Sequence, residues 1–277
     1  MNAPDHDLRL ALWQTPYAPP SGGTAEALRR LDAAAAQARA QGTDWLLCPE
    51  MSLTGYAIGA ERVAALAEAS DGPLAQAVAV IARRHGLAIV YGYPERHPQG
   101  RPFNAVQAIG ADGQRLANGR KSHLFGALDA EQFSPGETAP TTFAWRGWTL
   151  GLLICYDVEF PETVRALALQ DADAVLVPTA NMTGFDEVPE ILVPARACEN
   201  RLFVAYANAC GAEGATVYGG ESRVCGPDGR ALLAAGRGEA LQTVTLAAEQ
   251  RRTALTHDQR PHRRPSLYAA LSQPRSG

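Results

Sequence analysis

Short apolar runs alternate with amphipathic stretches in two blocks of this chain. In the early block, Leu8–Gln14 and Asp44–Glu50 are predicted strands on either side of a helix. In the late block, a strand at Ala174–Val177 precedes a helix at Glu187–Glu199. Hairpins are predicted between the blocks, one of them turned by Asp112-Gly113. This pattern favours two sheets stacked between helical layers over a single open sheet.

Nothing in the sequence divides the 277 residues into separate units, and 46% of them are hydrophobic, which is enough for a large core. We therefore expect one domain over residues 1–277. Its core is expected over about residues 8–250 and a C-terminal arm over about 251–277. The run Arg260–Pro265 is too rich in proline for a helix.

The formal net charge of −4 gives no basic footprint for nucleic acid. No apolar run approaches the ~18 residues that a membrane-spanning helix needs. Residues Met1–Asp7 have neither a basic segment nor an apolar segment typical of a signal peptide. We expect a cytoplasmic protein with no nucleic-acid or membrane partner.

The five cysteines are odd in number and scattered, with no Cys-x-x-Cys pair. We expect reduced thiols and no metal site. Four of them lie in strand-like or helix-like surroundings and are interpreted as packing residues: Cys48, Cys198, Cys210 and Cys225.

Cys155 differs from the other four cysteines because it ends an apolar run. Thr149–Ile154 reads as a strand, and Pro161 with Glu162 suits the start of a helix. A turn between them displays the thiol at the carboxyl end of a strand, where open α/β folds place their sites. The alternative is a buried cysteine that acts as a small hydrophobic residue.

Two further stretches bear on that choice. Glu50 ends a buried strand in Leu47-Cys-Pro-Glu50, and Lys121 follows a hairpin strand in Lys121-Ser-His-Leu-Phe125. Taken singly, the glutamate reads as a surface carboxylate and the lysine as a solvated cation.

Together with Cys155-Tyr-Asp157, these stretches resemble the nitrilase superfamily of carbon–nitrogen hydrolases, in the same chain order. The resemblance runs from about Leu8 to Tyr268 and includes flanking segments at Val177–Asn181, Arg196–Asn200 and Arg263–Tyr268. It implies an α/β fold, the four-layer αββα sandwich of that family. It also implies no cofactor and a homodimer or larger homo-oligomer.

The resemblance implies a catalytic triad of Glu50, Lys121 and Cys155, and each role makes chemical sense. A thiolate is the reactive form of cysteine, so a neighbouring carboxylate is needed to take the thiol proton. An ammonium at Lys121 and the backbone N–H of Tyr156 would stabilise the negative charge on the substrate oxygen. Water would then release the acid from the thioester.

Members of this family often carry a second carboxylate beyond the lysine. Counting back from Phe133-Ser-Pro-Gly136 places it at Asp129, with Glu131 as the alternative. The resemblance treats His123 as scaffold, and a structural or dimer-interface role is expected for Arg196. Five residues are expected in the substrate pocket: Tyr56, Tyr156, Thr179, Ala180 and Asn181.

The sequence after Cys155, Cys-Tyr-Asp-Val-Glu-Phe-Pro161, is similar to the amidase branches and to bacterial stereoselective amidases. We expect hydrolysis of a small carboxamide to carboxylate and ammonia. The main alternative is an ω-amidase or deaminated-glutathione amidase acting on a dicarboxylate monoamide, for which Arg120 and Arg196 are candidate cations. Nitrilase and carbamoyl hydrolase activities are further alternatives, and the last is a non-catalytic scaffold.

Overall fold

The computed structural model describes residues 4–19 and 21–273. One six-stranded sheet has the order β14-β1-β2-β3-β4-β5, in which β1, β2 and β3 are parallel and the other pairings are antiparallel. Its strands are β1 (Leu8–Gln14), β2 (Trp45–Leu47), β3 (Ala88–Glu95), β4 (Phe103–Ile109), β5 (Arg115–Arg120) and β14 (Ala240–Leu246).

The second six-stranded sheet has the order β13-β12-β9-β8-β7-β6, with a parallel centre formed by β7, β8 and β9. Its strands are β6 (Thr142–Trp145), β7 (Trp148–Leu152), β8 (Ala174–Thr179), β9 (Phe203–Asn208), β12 (Arg223–Cys225) and β13 (Ala231–Ala234). A separate hairpin is formed by β10 (Cys210–Glu213) and β11 (Thr216–Gly219).

Helices cover the outer face of each sheet. Side chains of α1 (Gly23–Ala40) and α3 (Pro73–His85) share a buried cluster with the first sheet. Those of α5 (Pro161–Ala168) and α6 (Val193–Asn200) share another with the second sheet. The predicted αββα sandwich is therefore confirmed.

The inner faces of the two sheets pack against each other around Trp45, Trp148 and Phe203, which are fully buried. Three shorter helices complete the fold: α2 (Ala60–Leu66), α4 (Gly126–Gln132) and α7 (Ala248–Leu255). Among the helices of the described ranges, none combines the length and hydrophobicity that crossing a bilayer requires.

Two predicted elements are divided in the structure. The sequence pattern of Tyr218–Cys225 predicts one strand, but in the structure this strand breaks after Gly219, because Gly220 and Glu221 adopt left-handed φ values of 65° and 55°. The helix expected over Glu187–Glu199 opens with a wide π turn at Val188–Leu192 before α6. Pro194 has no N–H for a regular helical hydrogen bond, which accounts for the irregular start.

The helix α7 runs across the expected boundary between core and arm. Arg251 of this helix is buried and pairs with Asp173 at 2.9 Å. Short 3₁₀ turns follow at Arg260–His262 and Pro265–Ser272, and residues 274–277 lie outside the described part. The division at residue 250 stays a prediction.

Candidate active site

Cys155 lies three residues beyond the end of β7, at a φ of +46° that places it in the left-handed region. A residue other than glycine keeps this strained backbone conformation only when the surrounding structure fixes it. Arg196 supplies part of that constraint, since its guanidinium donates to the carbonyls of Val158 at 3.0 Å and Glu159 at 2.6 Å. The 3₁₀ turn Cys155–Glu159 therefore presents the thiol at a sharp bend between strand and helix.

Glu50 reaches the same region from the first sheet. The chain leaves β2 at Leu47, and Met51, next to Glu50, also has a left-handed φ of 50°. The backbone of this bend packs directly on Gly92 of β3, where a Cβ atom would come within 2.4 Å of the Met51 nitrogen. The Glu50 N–H donates to the carbonyl of Thr179 in the second sheet at 3.2 Å. This contact joins the two sheets at the site.

Lys121 follows β5 and is completely buried. Its Nζ lies 3.0 Å from Glu50 Oε1 and 2.7 Å from Asp129 Oδ2, so it bridges two carboxylates. The Glu50 Oε1 atom also accepts a hydrogen bond of 2.5 Å from Asn104 Nδ2. Its other oxygen, Oε2, is buried and accepts no hydrogen bond from the described residues.

Asp129 is the carboxylate that contacts Lys121, whereas Glu131 is exposed. Asp129 points inward from α4, and the Tyr56 hydroxyl donates to its Oδ1 at 2.7 Å. Its Oδ2 also accepts the N–H of Phe125 at 2.8 Å. Three donors therefore hold this carboxylate in place, so it is suited to orient Lys121.

Electrostatics at the site keep Lys121 charged. Burial alone lowers the pKa of Lys121, but the charges of Glu50, of Cys155 in its thiolate form and of Asp129 outweigh it and raise the pKa well above its usual value.

Burial raises the pKa of Glu50; Lys121 opposes this shift and Asp129 adds to it, and the net shift is upward. A carboxylate with a raised pKa is a stronger base than one in water.

Burial also raises the pKa of the Cys155 thiol, and the charge of Glu50 raises it further. Lys121, the Thr179 hydroxyl and the Ala180 N–H act in the opposite direction. The net upward shift means that the resting thiol is protonated and needs a base before it can attack.

A narrow groove opens above the thiol. It is lined by Tyr56, Phe125, Cys155, Tyr156, Glu159, Ala180, Asn181, Met182 and Phe185. Four of the five predicted pocket residues are in this set. The fifth, Thr179, is fully buried beside the thiol instead. Larger clefts lie elsewhere on the described part of the chain, and none of the four most prominent is lined by Cys155 or Lys121.

Sequence reasoning did not single out Asn104, Phe125, Glu159, Met182 or Phe185 as site residues. The position of Asn104, a polar residue in a strand of otherwise mostly apolar residues, was the available signal. Glu159 lies in the same polar stretch as Cys155. Phe185 comes from a loop whose position follows from no sequence pattern.

Three basic residues that were considered for the site are engaged in other contacts. His123 pairs with Asp157 at 2.8 Å and stacks on Phe160. This pair fastens the segment after Lys121 to the turn that carries Cys155. Arg120 pairs with Glu95 at 2.5 Å. Arg196 holds the Cys155 turn, which agrees with the structural role expected for it.

Potential metal ligands do not cluster at the site. Within residues 4–19 and 21–273, His, Cys, Asp and Glu side chains form no group of three or more that could hold a metal ion.

The sequence model of the carbon–nitrogen hydrolase family matches residues 9–254, which is most of the chain. The chain belongs to the carbon–nitrogen hydrolase family. A hydrolase encoded in the pqqF 5′ region of Pseudomonas protegens is 49% identical over 96% of this chain and 92% of its own length. An (R)-stereoselective amidase from a Pseudomonas species is 39% identical over 76% of each chain.

Solved structures agree with this assignment. The crystal structure of an amidase from Nesterenkonia sp. matches with a TM-score of 0.82 and 36% identity, covering 95% of this chain and 96% of the amidase. The resemblance to the amidase branch of the nitrilase superfamily is thereby confirmed. The chain is a hydrolase of the amidase type.

Proposed function

We propose that this chain hydrolyses a small carboxamide to a carboxylate and ammonia through a thioester on Cys155. One observation carries the proposal. The thiol opens onto a narrow groove, and a buried ion pair of Glu50 and Lys121, 3.0 Å apart, acts on it electrostatically. A cysteine that only filled space would have no use for either charge.

Acylation begins when Glu50 Oε2, which accepts no hydrogen bond from the rest of the described chain, takes the proton of the Cys155 thiol. The sulfur then forms a bond to the carbonyl carbon of the amide, and negative charge moves to the carbonyl oxygen. Lys121 Nζ and the N–H of Tyr156 stabilise that oxygen. Loss of one such donor commonly costs about 10²–10³ in rate.

The intermediate collapses when Glu50 returns the proton to the amide nitrogen. The carbon–nitrogen bond breaks, ammonia leaves, and the acyl group remains on Cys155 as a thioester. Glu50 next takes a proton from water, the resulting hydroxide attacks the thioester, and the carbon–sulfur bond breaks. The thiolate regains its proton from Glu50, and the acid leaves as its carboxylate.

Structures of the Nesterenkonia amidase support a cysteine nucleophile. In a glutamate-to-glutamine variant of that amidase, acrylamide is added to the active-site cysteine by Michael addition. A cysteine-to-alanine variant of the same amidase was solved in complex with butyramide. These observations concern the relative, and they favour a small amide as the substrate of this chain.

Omega-amidases are also among the relatives, at 30% identity, and represent the second candidate function. Such an enzyme needs a cation to receive the distal carboxylate of its substrate. Arg120 and Arg196 are committed to other contacts, and the described groove residues include no lysine or arginine. We therefore favour an amide without a distal carboxylate.

The proposal is tested by measuring ammonia release from butyramide, butyronitrile, an N-carbamoyl amino acid and succinamate. Butyramide should give ammonia and butyrate in equal amounts, and Cys155→Ala should give none. Faster turnover of succinamate would support the omega-amidase alternative. Turnover of the nitrile or the carbamoyl compound alone would overturn the proposal, and no turnover of any amide would favour a non-catalytic scaffold.

A further inference from the structure

The walls of the groove are unusually aromatic for so small a space. The rings of Phe125 and Tyr156 lie 5.3 Å apart at an interplanar angle of 77°. Phe185 packs on Phe125 as well, with ring centroids 5.5 Å apart at an interplanar angle of 90°. All three rings line the groove. Ring faces carry negative charge density and attract cations.

Among the described residues that line the groove, one is a carboxylate, Glu159. Glu159 lies at the end of the 3₁₀ turn that begins with Cys155, and it is half-buried. No lysine, arginine or histidine of the described chain comes within ion-pair distance of its side chain. The guanidinium of Arg196 binds the backbone carbonyl of Glu159, not its carboxylate.

The surroundings of Glu159 favour the binding of a cation. Burial raises the pKa of Glu159, and the nearby carboxylate of Glu187 raises it further, although Lys121 and Arg196 oppose both effects. Glu187 is exposed at the start of the π turn, two residues after Phe185. A positive charge bound in the groove would relieve both the desolvation of Glu159 and its repulsion by Glu187.

We propose that Glu159 is the specificity-determining residue for the acyl group, and that it selects amides carrying a cationic nitrogen over neutral or anionic ones. The ammonium of the substrate would lie against the aromatic rings and donate to the Glu159 carboxylate, while the amide carbonyl faces Cys155. The proposal rests on the amidase function given above and names its substrate class.

The spacing along the turn limits how far the ammonium can lie from the amide. Four residues of a 3₁₀ helix cover about 8 Å between the Cα atoms of Cys155 and Glu159. The substrate must reach from the Cys155 thiol to the Glu159 carboxylate, and both side chains extend from this short segment. We therefore expect the cationic nitrogen within a few bonds of the carbonyl carbon, as in α- and β-amino acid amides.

The test compares kcat/KM for pairs of amides that have the same shape and different charge. Glycinamide is matched with propionamide, and β-alaninamide with butyramide; succinamate is the anionic probe. The wild-type enzyme should prefer the cationic member of each pair. In Glu159→Gln, kcat/KM for the cationic amides should fall by about 10- to 100-fold, because a charged hydrogen bond in a partly buried groove is lost.

The neutral amides serve as internal controls, since a disturbed Cys155 turn would slow their hydrolysis as well. Their kcat/KM should fall far less than that of the cationic amides in Glu159→Gln, and Glu159→Arg should improve turnover of succinamate. The matched control is Glu162→Gln, which removes an exposed carboxylate of α5 outside the groove and should change neither series.

Equal wild-type kcat/KM for cationic and neutral partners would overturn the role of Glu159 and leave the amidase function intact. Equal loss for both series in Glu159→Gln would show that this residue supports the turn and does not select the substrate. If no amide of any charge released ammonia, the amidase function itself would be contradicted.

Discussion

Cys48 and Cys155 both lie just beyond parallel strands, one in each sheet, yet their surroundings differ. Burial raises the pKa of both thiols. Burial is the sole influence resolved on Cys48, which packs among apolar side chains between the first sheet and its helices. Cys155 meets Glu50, Lys121, Thr179 and Ala180 in addition.

The difference between these two regions shows what burial does and does not provide. A buried thiol with no charged neighbour is inert packing. A buried thiol becomes a nucleophile only where a base can take its proton and donors can receive the charge that forms. The backbone contributes as well, because the left-handed φ of Cys155 turns its side chain towards the groove.

The largest predicted effect separates the two cysteines directly. Cys155→Ala should lower kcat for amide hydrolysis by about 10⁴-fold or more, since the residue that forms the covalent bond is lost. Cys48→Ala should leave kcat unchanged and lower the free energy of unfolding by about 1 kcal/mol, as expected for a small core truncation. Steady-state kinetics measure kcat, and urea denaturation measures the free energy of unfolding. Loss of activity in Cys48→Ala with an intact fold would contradict the comparison.

The next prediction concerns a substitution that removes the base and keeps the shape of its side chain. Glu50→Gln retains an oxygen that can accept from Lys121, but it cannot take the thiol proton. We expect kcat to fall by about 10²–10⁴, the usual contribution of general acid–base catalysis. Asn104→Ala, which deletes only a neighbour that donates to Glu50, is the milder companion variant. Retention of full activity by Glu50→Gln would assign the base elsewhere.

A third prediction concerns the pH dependence of kcat/KM. The charge of Asp129 raises the pKa of Glu50, and catalysis needs Glu50 ionised. Asp129→Asn removes that charge, so the pKa of Glu50 should fall and the acid limb of the profile should move to lower pH. Glu131→Gln is the matched control because Glu131 is exposed. If the acid limb stays in place or moves to higher pH, it does not reflect the ionisation of Glu50.

The smallest effect is expected at Thr179. Its hydroxyl lowers the pKa of the Cys155 thiol, and Thr179→Val removes the hydroxyl at nearly constant volume. Removal of a hydroxyl that favours the thiolate by about 1 kcal/mol should slow alkylation of Cys155 by iodoacetamide about fivefold at a fixed pH. The rate is measured by peptide mass spectrometry, with Cys48 as the unreactive reference. An unchanged rate would remove Thr179 from the set of groups that stabilise the thiolate.

The layers of the fold and the surroundings of Cys155 along the chain could be predicted from the sequence. The apolar run ending at Cys155, with Pro161 beyond it, predicted the strand, turn and helix that the structure contains. The αββα layers followed from the two alternating blocks and the family resemblance. These features depend on local periodicity and on motifs, which a single sequence displays.

Other features depend on contacts between distant segments. Only the fold shows that Asp129 reaches Lys121 while Glu131 faces solvent, because helix orientation decides it. The Glu159 carboxylate, the ring of Phe185 and the donor at Asn104 come from three separate elements. The break at Gly220 depends on backbone angles that the strand pattern does not encode. The homodimer and the cytoplasmic location stay predictions.

The most direct test of the account is a partition experiment with hydroxylamine. An amide and the methyl ester of the same acid are hydrolysed separately in its presence, and the ratio of hydroxamate to free acid is measured for each. If both substrates pass through one thioester on Cys155, the leaving group is gone before the partition, and the two ratios must be equal. Different ratios would contradict a common thioester, and with it the role assigned to Cys155.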